Sequence, residues 1–228
     1  MSDPAAGISD IIIIMKYKLI IFDLDGTLLN TLEDLTDSVN YALRSLNFPE
    51  RSLDEVNSFI GNGNRMLMKR SLPEWASDEQ TELSIEKFHE YYRTHYTVKT
   101  RPYNGIPELL HTLRAAGYKL AVISNKADYA TQELCEKYFF NTFDFVLGDT
   151  DDIPRKPDPA PVHKAVSALN CSPESSVYVG DSEVDIKTAK NAGIDCISVG
   201  WGFRPRSVLI AAGAERIIAS PEELLKLV

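Results

Sequence analysis

The chain reads as an α/β protein: a Rossmann-like parallel-sheet core with an all-helical segment inserted after its first strand. Three observations predict this. Short apolar runs that suit strands buried on both faces alternate with amphipathic helical stretches, the pattern of βαβ units on a parallel sheet. Between Thr31 and Lys99 the alternation stops, and nothing there has strand character. Outside that interval the apolar runs end in polar residues, where open parallel sheets place their sites.

The first element is Leu19-Ile20-Ile21-Phe22, which stops at Asp23 and is followed by Asp25, Gly26 and Thr27. In a continuing strand Asp23 and Asp25 share a face, and Gly26 permits a sharp exit. Two carboxylates this close repel, and apolar flanks desolvate them. The pKa of at least one rises unless a cation lies between them. A hard divalent cation such as Mg2+, with its preference for oxygen ligands, answers that need. The ordinary alternative is a strand followed by an Asp-Gly turn.

In Thr31 to Phe48, Leu32, Leu35, Val39, Ala42, Leu43 and Leu46 recur at helical spacing, with acids in the first turn and Pro49 as the stop. Ser52 to Phe59 predicts a short helix opened by a Ser52/Glu55 capping box. Ile60 to Arg65, which includes Gly61, Asn62 and Gly63, reads as a loop running into a helix over Met66 to Leu72. Ser77 to Thr97 is a long polar helix carrying Leu83, Ile85, Phe88, Tyr91 and Tyr92. The insert thus spans 32–100, and the core spans 15–31 with 101–228.

After Arg101 the reading is helix (Ile106 to Ala116), strand (Lys119 to Ile123) and helix (Ala127 to Tyr138). A strand (Phe143 to Leu147), a proline-rich loop (Asp151 to Pro161) and a helix (Val162 to Leu169) follow. Then come strand Ser176 to Val179, helix Glu183 to Ala192, strand Ile194 to Val199, strand Glu215 to Ile218 and a last helix, Pro221 to Leu227.

Composition narrows the function classes. With 228 residues, 44% hydrophobic and 25% charged, the chain has an ordinary globular profile. Its net charge of -9 disfavours nucleic-acid binding, and an anionic substrate must be captured by local cations. Cys135, Cys171 and Cys196 form no CxxC pair, which fits free thiols in a reducing cytoplasm. None of His89, His95, His111 and His163 belongs to a metal-binding pattern. The apolar run Ile11 to Met15 is too short to span a membrane, and no basic region precedes it, so neither membrane anchorage nor a signal peptide is expected. Met15-Lys16-Tyr17-Lys18 reads as a natural start, which leaves 1–14 as an extension without an assigned role.

Polar groups at the strand ends suit phosphate chemistry. Ser124-Asn125 offers a hydroxyl, an amide and backbone N–H groups at an expected helix start. Lys156, in Arg155-Lys156-Pro157-Asp158-Pro159, is an ammonium on a stiffened loop. Asp181 and Asp185 follow the fourth strand on one face of a helix start. Singly these read as a helix cap, a solvated lysine and an N-cap. Their order behind apolar strands is what gives them meaning.

DLDGT, SN, KPDP and GDSEVD in this order resemble the motifs of the haloacid dehalogenase superfamily, in its phosphatase branch, and the insert is similar to that superfamily's small helical cap. Gly61-Asn62-Gly63 at a cap helix start, with DLDGTLLNT and GDSEVDI, most resembles the phosphoglycolate phosphatase group. The resemblance implies Asp23 as nucleophile, forming an aspartyl-phosphate, and Asp25 as general acid and then base, with a raised pKa. It implies Mg2+ held by Asp23, Asp181 and the backbone carbonyl of Asp25, with Asp185 and Ser182 supporting from behind. Lys156, Ser124 and Asn125 are implied to bind phosphate, together with Thr27, which also positions Asp25. Gly61, Asn62, Gly63 and Arg65 are expected to meet a substrate carboxylate, with Arg204 a weaker candidate of the same kind. The expected partner is a small phosphorylated metabolite, 2-phosphoglycolate first, and the expected state is monomer or homodimer. Alternatives are a pyrophosphatase or sugar-phosphate phosphatase of the same superfamily. From another class come a phosphoryl-accepting receiver, which is usually much shorter, and a non-catalytic binding module.

Overall fold

The computed structural model describes residues 16–228, so the segment 1–14, its apolar run and Met15 lie outside the described residues. The chain forms β1 (Leu19–Phe22), a short β2 (Leu29–Asn30) and four helices, α1 (Leu32–Ser45), α2 (Leu53–Phe59), α3 (Gly63–Ser71) and α4 (Asp78–His95). It returns through β3 (Arg101–Pro102) to α5 (Ile106–Ala115), β4 (Lys119–Ala127), α6 (Asp128–Tyr138), β5 (Phe145–Asp149) and α7 (Ala160–Ala168). It ends with β6 (Ser176–Gly180), α8 (Glu183–Ala192), β7 (Asp195–Val199), α9 (Arg206–Ala211), β8 (Ile217–Ile218) and a 3-10 turn, Pro221–Lys226, where an α-helix is expected from the sequence.

Six strands make one sheet in the order β5-β4-β1-β6-β7-β8, all neighbours parallel. β1 is central and buried on both faces. Ile20 and Phe22 join a cluster with Leu120, Val177 and the helical insert, while Leu19 and Ile21 pack with Ala121, Val162 and Tyr178 on the other side. The register pairs Phe22 with both Val122 and Val179. The carboxyl ends of β1, β4 and β6 therefore stop at one level, and the residues after them converge.

Gly26 makes the turn out of β1 possible. Its φ is +85°, and a Cβ there would run into the Asp181 carboxylate. The insert holds four helices and no strand, as expected, and the expected capping box of α2 is present. Its apolar faces, including Leu35, Val39, Phe88 and Tyr92, are continuous with the sheet's own core.

The two crossings into and out of the insert are joined. β2 and β3 pair antiparallel, Leu29 with Pro102 and Asn30 with Arg101, an interaction of two-residue strands that no periodicity announces. The buried Asp34 carboxylate reinforces it by accepting from the backbone N–H of Lys99 at 2.9 Å and of Thr100 at 2.8 Å.

Three expectations need correction. α3 begins at Gly63, not Met66, because the first N–H groups of a helix need no internal partner and glycine costs little there. β4 runs on to Ala127: Ile123 pairs with Leu147 and Ala127 with Asp149, so extra residues bulge out between them. Ser124-Asn125 therefore lies on a strand bulge and not at a helix start. The third is the C-terminal segment, a 3-10 turn over Pro221–Lys226 and not an α-helix, while α9 lies in a stretch to which the sequence assigned no element. No helix among the described residues is long and apolar enough to cross a membrane.

Candidate active site

The strand ends and the loop after β5 bring Asp23, Asp25, Ser124, Asn125, Lys156 and Asp181 to one cleft, closed on its far side by the insert. The polar contacts divide into two clusters. In the first, the buried Lys156 ammonium lies 2.8 Å from Asp185 Oδ1, 2.9 Å from Asp23 Oδ1 and 3.0 Å from the Tyr178 hydroxyl. Burial works against its charge, but Asp185 and Asp23 outweigh that and hold it well above the ordinary lysine range. The proline-rich loop thus aims its lysine inward, as its stiffness suggests.

Asp185 is fully engaged. Its second oxygen accepts from the Ser182 hydroxyl at 2.6 Å and the Ser182 backbone N–H at 3.1 Å, the capping box that opens α8. Asp181 precedes that helix. It accepts from the Phe203 backbone N–H at 2.7 Å, and the Thr27 hydroxyl approaches it at 3.4 Å. Thr27 is buried and faces Asp181, so it does not hold the Asp25 side chain as expected.

Asp23, Asp181 and Asp185 place carboxylate oxygens within 4.8 Å of one another, all buried. Burial first, then Asp185 and Asp25 against the relief given by Lys156, pushes Asp23 up to about 7. Burial and the Asp185 and Asp23 charges also raise Asp181 well above the carboxylate range. Asp23 Oδ1 accepts no directed hydrogen bond, since Lys156 lies beside it off the bonding direction. An all-oxygen set that repels itself and keeps an unsatisfied buried acceptor fits a hard divalent cation such as Mg2+. With Asp185 committed to Lys156 and Ser182, Asp23 and Asp181 are the carboxylates free to serve it.

The second cluster was not foreseen. Both oxygens of Asp25 accept from Lys126 Nζ, at 2.9 and 3.1 Å. The Lys126 ammonium is buried and stands 5.2 Å from the Tyr92 ring centroid on α4. Lys126 follows Ser-Asn directly, and only the bulge in β4 reveals which way it turns.

From the insert, Gly61, Gly63 and Asn64 line the cleft. Gly61 has φ +126°, and a Cβ would sit 3.2 Å from an Arg204 nitrogen. Asn62 caps α3 without a side-chain hydrogen bond and turns its amide oxygen to Arg70 at 2.8 Å. Arg65 does not reach the cleft. It pairs bidentately with Glu82 on the exposed side, one contact at 2.8 Å, because starting α3 at Gly63 turns residue 65 toward α4. Arg204 does reach it. It donates to the backbone carbonyls of Asn57, at 3.0 Å, and Ile60, and pairs with Glu183 at 3.0 Å. Asn125 Nδ2 donates to the Lys156 carbonyl at 3.0 Å and stands 3.4 Å from the Gly61 carbonyl, and the Ser124 hydroxyl accepts from Lys126 N–H at 3.3 Å.

A sequence-family model described as haloacid dehalogenase-like hydrolase matches residues 20–199. This chain belongs to that family. It is 32% identical over 211 residues to a phosphoglycolate phosphatase of Aquifex aeolicus, covering 92% of this chain and 96% of that one. It is 34% identical over 222 residues to a phosphoglycolate phosphatase of Mannheimia succiniciproducens, covering 93% and 99%. Among solved structures it is similar to a predicted phosphoglycolate phosphatase from Haemophilus somnus 129pt, with TM-score 0.87, 30% identity and coverage of 94% and 99%. The haloacid dehalogenase-like chain is a phosphatase of this family, and the receiver and binding-module alternatives give way.

Proposed function

We propose that the enzyme hydrolyses a phosphomonoester, 2-phosphoglycolate first among substrates, with Mg2+ and an aspartyl-phosphate on Asp23. The observation that carries the reading is the Asp23 carboxylate, 2.9 Å from a buried ammonium, with a second acid two residues on, in a cleft walled by the insert. Asp23, Asp181 and the backbone carbonyl of Asp25 are the groups assigned to the cation, which when bound stabilises negative charge on the transferring phosphoryl group and on Asp23.

An Asp23 oxygen attacks phosphorus as the ester P–O bond breaks, and Asp25 gives its proton to the departing oxygen. Asp25, now a carboxylate, takes a proton from water. That water attacks phosphorus, and the bond to Asp23 breaks to release phosphate. Lys156 offsets charge on Asp23 and the phosphoryl oxygens, Ser124 and Asn125 hydrogen-bond those oxygens, and Asp185 with Ser182 holds Lys156 in place.

We assign 32–100 as a cap that opens and closes about the paired β2–β3 crossings and excludes water on closing. The start of α3 at Gly63, preceded by Gly61 and with N–H groups uncapped by a side chain, suits the carboxylate of 2-phosphoglycolate. Support for that substrate comes from the names of the relatives. The test is phosphate release with Mg2+ from phosphoglycolate, pyrophosphate, a hexose phosphate and an aryl phosphate, with Asp23→Asn as control. A lead for phosphoglycolate of orders of magnitude in kcat/KM supports the reading. Flat activity overturns the substrate, and activity in Asp23→Asn overturns the nucleophile.

A further inference from the structure

We infer that Lys126 is a positioning residue for the acid/base Asp25, and that the cap completes it by laying the Tyr92 ring against the lysine ammonium. This rests on the reading of Asp25 given above and adds what keeps that carboxylate where it can act.

Asp25 needs a holder. Its side chain is 17% exposed, the neighbouring Thr27 hydroxyl points to Asp181, and among the described residues Lys126 is the side chain that donates to its carboxylate. A carboxylate on a tight turn can rotate. Contacts of 2.9 and 3.1 Å from one ammonium to both oxygens fix that rotation. The arrangement also suits both halves of the reaction, because when one oxygen carries a proton the other still accepts from Lys126.

Lys126 in turn has little freedom. Its side chain is 1% exposed, and its partners are Asp25 on one side and the Tyr92 ring, 5.2 Å away, on the other. A buried ammonium with one carboxylate and one aromatic face is costly to keep for stability alone, and hydrophobic replacements of such pairs are often neutral or stabilising. Tyr92 belongs to α4 of the insert, while Lys126 and Asp25 belong to the core. The cap thereby bears on proton transfer as well as on substrate choice.

The test compares wild type, Lys126→Met and Tyr92→Leu with Mg2+ on phosphoglycolate and on p-nitrophenyl phosphate, whose leaving group needs no proton. For Lys126→Met the expected result is a fall in kcat on phosphoglycolate on the order of 100-fold, with KM nearly unchanged. On p-nitrophenyl phosphate the same variant releases a burst of nitrophenol stoichiometric with enzyme, and acid quench traps phosphoenzyme, because the water-activating step is impaired while the first step survives. Tyr92→Leu gives the same split, smaller in size, and carries the test if Lys126→Met does not fold. A purely structural role lowers both substrates equally, without a burst, and that result overturns the inference, as does wild-type kcat in the variants. Activity in Asp23→Asn, or no phosphoenzyme in any protein under quench, overturns instead the underlying reading of the reaction.

Discussion

Lys156 and Asp185 form a buried ion pair at 2.8 Å, and the other oxygen of Asp185 is bound by Ser182. The lysine is thereby held against Asp23 by a residue that also starts helix α8. Asp185→Ala leaves a buried ammonium with one carboxylate fewer and removes a helix cap. It is expected to destabilise the protein by about 3–5 kcal/mol, read by denaturant unfolding. A change below about 1 kcal/mol would show that the pair is not structural.

Asp23 makes metal-free stability depend on pH in a definite sense. Its folded pKa of about 7 lies above the ordinary 3.8, so the fold favours the protonated acid. The stability this contributes is fully present below about 3.8 and is lost as pH rises through about 7. Mg2+ requires the carboxylate, so it restores stability more at pH 8 than at pH 5.5. Melting curves with EDTA and with Mg2+ at both pH values, for wild type and Asp23→Asn, check this. An equal Mg2+ shift in the two proteins would rule out Asp23 as the group responsible.

The two candidate arginines should separate. Arg65→Ala removes an exposed pair with Glu82 and is expected to leave KM for phosphoglycolate within about twofold. Arg204→Ala removes donors to the Asn57 and Ile60 carbonyls beside Gly61 and is expected to raise KM about tenfold with a smaller change in kcat. Steady-state kinetics decide, and a large effect at Arg65 would mean that α3 turns during turnover.

Asp34→Ala strips the acceptor from two backbone N–H groups, Lys99 and Thr100, the latter buried. The expected loss is about 2–3 kcal/mol, with faster proteolysis near residues 98–102. Limited proteolysis with mass spectrometry reads it, and unchanged cleavage would mean that the β2–β3 pairing suffices without Asp34.

Much of the site was legible because strand ends obey a rule that survives from sequence to structure: an apolar run buried on both faces must stop where its polar residues begin. Asp23 and Asp181 follow from that rule, and Lys156 from the proline-stiffened loop that carries it. Lys126 did not, because a bulge changes which face each residue takes, and a bulge leaves no periodic trace. Thr27 and Arg65 were placed in the right segments but aimed wrongly. Their directions depend on a glycine-opened turn and on where α3 begins, and Glu82, which captures Arg65, lies on a different helix. β2, β3 and α9 are too short for period to speak.

The pairing of Asn30 with Arg101 means that the insert leaves and re-enters the sheet at a single doorway. Such a doorway makes the helical segment a graft: its length and content can change without rerouting any strand. Three demands limit exchange: a ribbon that still closes, an apolar underside that still meets Leu24 and Phe22, and an aromatic ring that still reaches Lys126. The helices above the cleft can then be replaced while the strand ends that carry Asp23, Asp25 and Asp181 stay in place beneath them.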